Sequence, residues 1–91
     1  CEGALLVVDA AQGVEAQTTQ AMKNIEAILK AAGTDFTKVV KTTCFLVDMG
    51  DFAAFNAIYA TYFTSKPARS CVAVKALPLG MQVEVEVIVA P

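Results

Sequence analysis

From Glu15 onward, apolar residues recur every three or four positions, at Ala21/Met22, Ile25, Ile28/Leu29 and Ala32. That spacing predicts a helix with one apolar stripe. Gly33 suits the position just past its end, where the backbone turns to positive φ. Thr34 is expected to cap a short turn running to Lys38. The period then drops to two, which predicts a strand over 39–47. Val39, Lys41, Thr43, Phe45 and Val47 fall on one face, and Val40, Thr42, Cys44 and Leu46 on the other. Asp48 or Asp51 is placed to cap a second helix. Its stripe is Phe52, Phe55, Ile58/Tyr59 and Tyr62/Phe63, and Pro67 blocks any continuation beyond Lys66. An aromatic stripe at this spacing reads as core packing.

Two further strands are predicted over 66–74 and 82–89, with Leu77-Pro78-Leu79-Gly80 breaking the run between them. In the first, Arg69, Cys71 and Ala73 share one face, and Ser70, Val72 and Val74 the other. In the second, Val83, Val85, Val87 and Val89 make a wholly apolar face opposite Gln82, Glu84, Glu86 and Ile88. Near the start, the continuous apolar run inside 3–9 predicts a strand covered on both faces, followed by a turn over 10–13. The order is therefore β-α-β-α-β-β. It describes a single α+β domain over 1–91, with both helices on one face of a mixed sheet.

Composition changes this picture in three ways. A 91-residue chain buries only about two-thirds of the surface its unfolded form exposes, yet 56% of this one is hydrophobic. Self-association is therefore expected. The net charge of −2, with seven Lys+Arg and no basic cluster, argues against nucleic acid as a partner. The absence of histidine excludes Ser-His and Cys-His catalytic pairs and leaves any zinc site poor in ligands. Cys1, Cys44 and Cys71 are odd in number and lack paired spacing, which implies a reducing, cytoplasmic setting with thiols acting as small hydrophobes. The apolar run over 4–8 is too short for a membrane span, and no signal peptide precedes it. A start at Cys1 without methionine suggests a fragment, a trimmed chain or an engineered splice.

Arg69 is the only arginine, and it lies in an otherwise apolar strand. An ion there is costly without a partner or a ligand. Glu84 or Glu86 can supply the partner; an anionic substrate can supply the ligand.

These residues also carry a family resemblance. Pro67-Ala68-Arg69-Ser70-Cys71-Val72, then Leu77-Pro78, then Val83-Glu84-Val85-Glu86, closely resemble the RidA (YjgF-type) enamine/imine deaminases, also called endoribonuclease L-PSP. The likeness extends through Val39-Val40-Lys41-Thr42-Thr43-Cys44-Phe45-Leu46 and Asp51-Phe52-Ala53-Ala54-Phe55-Asn56, covering about residues 15–91. It implies a RidA/chorismate mutase-like fold, a homotrimer with pockets between subunits, and hydrolysis of small 2-enamino or 2-imino acids to 2-keto acids and ammonia. It implies no metal and no organic cofactor. Arg69 matches the family's carboxylate-binding arginine, whose fork grips a carboxylate through two parallel hydrogen bonds. Glu84 matches the acid that positions water and shuttles protons, with Glu86 a local rival. Cys71 matches a position beside the substrate, where its backbone contributes contacts; with no histidine to activate it, its thiol is not expected to be the nucleophile. Asn56 matches a pocket-lining amide. The structural alternatives stay open: an Arg69–Glu pair on the sheet, and Asn56 simply on the exposed side of its helix.

The N-terminus departs from the pattern. Typical members carry an N-terminal hairpin with a pocket tyrosine and a Ser-Gly segment, which this chain lacks in matching form. Tyr59 and Tyr62 do not replace that tyrosine, because both lie in the helix stripe. Residues 1–18 instead weakly resemble a strand and turn of LepA-type translational GTPases, although the chain has no phosphate-binding loop. Three functions follow: a deaminase, a non-catalytic trimeric scaffold or recombined fragment that keeps the fold, and an endoribonuclease. The acidic balance counts against the last.

Overall fold

The computed structural model describes residues 13–90, so the strand expected over 3–9 and most of the LepA-like segment lie outside the described residues. The first helix, α1, runs Val14–Ala31. Glu15 in its first turn and Lys30 in its last complement the helix dipole. Its end uses Gly33 as the stripe implies. With φ at +77°, Gly33 donates to Lys30 O at 3.0 Å, and Thr34 N–H reaches Leu29 O at 2.9 Å. This paired closure satisfies carbonyls that the last turn leaves open. Thr34 does not cap the following turn, Phe36–Lys38. Asp35 does, its carboxylate accepting the Thr37 N–H at 2.8 Å. The Thr34 hydroxyl is buried without a hydrogen-bond partner.

Strand β1, Val39–Leu46, is the centre of a mixed sheet of order β2-β1-β3. It pairs in parallel with β2, Ala68–Ala73, and antiparallel with β3, Val83–Val89. The parallel pair requires a crossover, which α2, Phe52–Tyr62, supplies. Residues in register share a face. Arg69, Thr42 and Val87 form one row towards the helices, and Cys71, Cys44 and Val85 the next. Val72, Phe45 and Glu84 form a row on the opposite face, as do Ser70, Thr43 and Glu86. Val39 breaks the expected alternation and is buried with the core. A register irregularity between Val39 and Lys41 resets which side each residue faces.

Asp48 caps the short turn Met49–Asp51 by accepting the Gly50 N–H at 2.8 Å, while Asp51 stands at the start of α2 without a side-chain bond. Helix α2 ends before the limit Pro67 sets. Phe63 leaves helical geometry (φ −99°, ψ 64°) with its ring buried edge-on against Phe36, centroids 5.0 Å apart. Lys66, kept out of the helical region by Pro67, sits at φ 55°.

The core lies between both helices and one sheet face. Met22, Ile25 and Leu29 of α1 meet Phe55, Tyr59 and Phe63 around Cys44, Leu46 and Val83. Buried Gln17 ties α1 to the start of β3, its Oε1 accepting the Gln82 N–H at 2.8 Å. The other sheet face carries no described helix and leaves Val72 41% and Ile88 62% exposed. Among the described residues, no helix is long and apolar enough to cross a membrane.

Candidate functional site

Arg69 occupies the second position of β2, an edge strand of the described sheet, on the side facing α2. Parallel pairing sets it beside Thr42. One turn and two turns of α2 bring Phe52, Asn56 and Tyr59 to the same face, at i, i+4 and i+7. The Arg69 Nη1 donates to Asn56 Oδ1 at 2.6 Å. Its guanidinium carbon stands 4.6 Å from the centroid of the Tyr59 ring and 5.3 Å from that of Phe52. The Arg69 residue itself is exposed. The cation is thus held on one side by an amide and two rings and remains accessible.

Two residues along β2, Cys71 lies half-buried next to Arg69 and in register with Cys44; both thiols are free. Burial pushes the Cys71 thiol above its ordinary range, partly offset by Arg69. Desolvation raises Cys44 further, to about 11. Both therefore hold their protons at neutral pH, which removes the thiolate a nucleophile would need. Tyr59 is raised as well, by burial first, against the hydrogen bond with Thr42 that opposes it. Its hydroxyl is committed to Thr42 Oγ1 at 2.7 Å. Among the described residues, no group of three His, Cys, Asp or Glu is placed to hold a metal ion.

The structure brings Arg69, Asn56 and Cys71 together and leaves Glu84 apart. Glu84 is exposed in the row of Val72 and Phe45, on the face away from the helices and on the far side of β1 from Arg69. Glu86 shares that face. An internal Arg69–Glu84 or Arg69–Glu86 pair across this sheet is therefore not formed; among the described residues, the hydrogen-bond partner of Arg69 is Asn56. Asn56, in turn, is no idle polar residue on the outer side of α2. Sequence reasoning missed Thr42, Phe52 and Tyr59 as neighbours of Arg69. The signal was the spacing Phe52, Asn56, Tyr59, which places two aromatics beside the amide on one helix face.

The sequence and the fold are both shared with known proteins. The sequence model of the family described as endoribonuclease L-PSP matches residues 6–91. A mouse 2-iminobutanoate/2-iminopropanoate deaminase is 56% identical over 77 residues, covering 84% of this chain and 57% of the mouse protein. The crystal structure of RidA from a Psychrobacter species has a TM-score of 0.82 at 42% identity, covering 86% of this chain and 64% of that one. Escherichia coli TdcF, solved with bound serine, has a TM-score of 0.83 at 34% identity and covers 88% and 66%. The chain spans 65%, 60% and 57% of the lengths of three curated relatives. Nothing in these comparisons supports the GTPase likeness at the N-terminus. With its mixed sheet, its two helices and a match reaching from residue 6 to the last residue, the chain belongs to the endoribonuclease L-PSP family, the RidA (YjgF-type) proteins.

Proposed function

We propose that this chain is the carboxylate-binding and catalytic part of a RidA-like deaminase acting on small 2-enamino and 2-imino acids. The observation that carries this reading is the held but accessible guanidinium of Arg69. Nη1 is engaged by Asn56, and no described residue hydrogen-bonds to the remaining N–H groups, which leaves them to take a substrate carboxylate in their plane. The related deaminases and the serine-bound TdcF point to the same chemical class, a small molecule with a carboxylate beside a nitrogen. Protonation at carbon turns the enamine into the imine, water adds at the imine carbon, and ammonia departs as the 2-keto acid forms. Glu84 is the residue we assign to position that water and move its protons.

Arg69 and Glu84 occupy opposite faces of the sheet on strands separated by β1, roughly 10 Å apart at two strand spacings. We therefore assign the acid to a neighbouring copy in a homotrimer, assembled through the open sheet face where Val72 and Ile88 are exposed. Unpaired thiols at Cys44 and Cys71 suit a reducing, cytoplasmic setting. No metal and no organic cofactor enters this chemistry.

A second reading, a non-catalytic trimer that keeps the fold, draws on two observations. The chain spans under two thirds of those curated relatives, and no single chain joins Arg69 to Glu84. Ammonia release from freshly generated 2-aminoacrylate separates the two. The deaminase reading expects release above the uncatalysed rate, and Arg69→Lys, which keeps the charge but loses the planar fork, is expected to raise KM. Release no faster than in buffer, from an assembled protein, would leave the scaffold.

A further inference from the structure

We propose that Tyr59, pinned by Thr42, is a positioning residue that mounts the Arg69 guanidinium in its ligand-ready orientation. This rests on Arg69 being the carboxylate-binding group. An exposed arginine on an edge strand ordinarily samples many rotamers, and a ligand must then order it at an entropic cost. Here the guanidinium already has a floor and a stop. The Tyr59 ring lies 4.6 Å beneath its carbon, and Asn56 Oδ1 takes one Nη1 hydrogen at 2.6 Å. A ring engages the face of the guanidinium, whereas a carboxylate binds along its edge, so the floor does not compete with the ligand.

The floor is itself fixed. The Tyr59 hydroxyl and Thr42 Oγ1 are 2.7 Å apart, Thr42 is 0% exposed, and Tyr59 is 6% exposed. Thr42 is also the register partner of Arg69 on the neighbouring strand, so the pin and the cation stand side by side. Phe63 stacks on the other part of the same ring, centroids 4.5 Å apart, and limits its tilt. Phenylalanine at position 59 would supply the floor without the pin.

Because Arg69 is the only arginine, its Nε–H gives a single guanidinium resonance in a proton–nitrogen correlation spectrum. The experiment compares the full chain with Tyr59→Leu, Tyr59→Phe and Thr42→Val, with and without pyruvate. In the parent, that resonance is expected at a ring-shifted position. Tyr59→Leu should collapse most of the shift and weaken pyruvate binding about two- to five-fold, the range expected for one exposed cation–π contact. Tyr59→Phe and Thr42→Val, which both keep the ring and lose the pin, should each leave the shift partly reduced, between the parent and Tyr59→Leu; a purely structural role would lower stability without moving the resonance. The proposal is overturned if folded Tyr59→Leu keeps the parent shift and affinity. If Tyr59→Leu does not fold, an unchanged shift and affinity in Thr42→Val overturns it instead. A shift that collapses in Tyr59→Leu while pyruvate moves the resonance in no variant would refute the carboxylate reading and retain the mount.

Discussion

Thr42→Val and Tyr59→Phe, made singly and together, test the hydrogen bond on which the site is built. The two oxygens lie 2.7 Å apart, and both residues are buried, Thr42 at 0% and Tyr59 at 6% exposure. Either single change leaves one hydroxyl in the core without its partner. Such a group costs about 1–3 kcal/mol, more than the net worth of the bond itself. Each single variant is therefore expected to lose about 1–2 kcal/mol. The double variant removes both polar groups and should lose about as much as one single variant, not the sum, leaving a coupling of about 1 kcal/mol. For a domain of this size, about 1 kcal/mol corresponds to roughly 4–8 °C in Tm. Thermal unfolding at a fixed protein concentration measures it, because association would otherwise shift the midpoint. Additive losses, or a Tyr59→Phe variant as stable as the parent, would refute the bond.

Three further outcomes follow from other parts of the molecule. Burial lifts Cys44 from 9.0 to about 11, so the folded state keeps a proton that the unfolded chain gives up near 9. The stabilisation is complete below about 9 and is lost as pH rises towards 11; alkaline unfolding should show that limb, and Cys44→Val should flatten it. Gly33→Ala forces a side chain to φ +77° in open space, a cost of about 1–2 kcal/mol with no steric clash, measurable by urea unfolding. Ile88→Glu, on the open sheet face, should leave the monomer fold intact by circular dichroism and abolish assembly in sedimentation; unchanged assembly would remove that face from the interface.

Much of this fold is visible in the sequence because two periods are cleanly separated. The stripe through Met22, Ile25 and Leu29 ends at a glycine that can adopt the left-handed region, and the alternating valines of 83–89 fix which side of β3 meets the helices. Three features escaped because each depends on a neighbour distant in sequence or on one extra residue. Val39 is buried through a register irregularity that no face count anticipates. Asp35 rather than Thr34 caps the turn, since Asp35 is the residue directly before Phe36 and its carboxylate reaches the Thr37 N–H. Helix α2 stops at Tyr62 because Phe63 takes its ring into the core beside Phe36. At the site, the family motifs marked Arg69, Asn56, Cys71 and Glu84, and three of those four converge. The separation of Glu84 follows from strand order, with β1 between β2 and β3, which local pattern does not encode. Tyr59 was read only as core, yet one face of its ring serves the core and the other the cation.

The most direct test of the account is complementation between two disabled chains. Arg69→Ala, which removes the guanidinium outright, and Glu84→Gln are each expected to lose ammonia release from 2-aminoacrylate when assembled alone. If each site joins Arg69 of one copy to Glu84 of the next, unfolding and reassembling an equal mixture creates sites that carry both native residues. Random association makes these about a quarter of all sites, so the mixture should recover about a quarter of the parent activity. A mixture as inactive as its two components, beside an active parent, would contradict a site shared between copies.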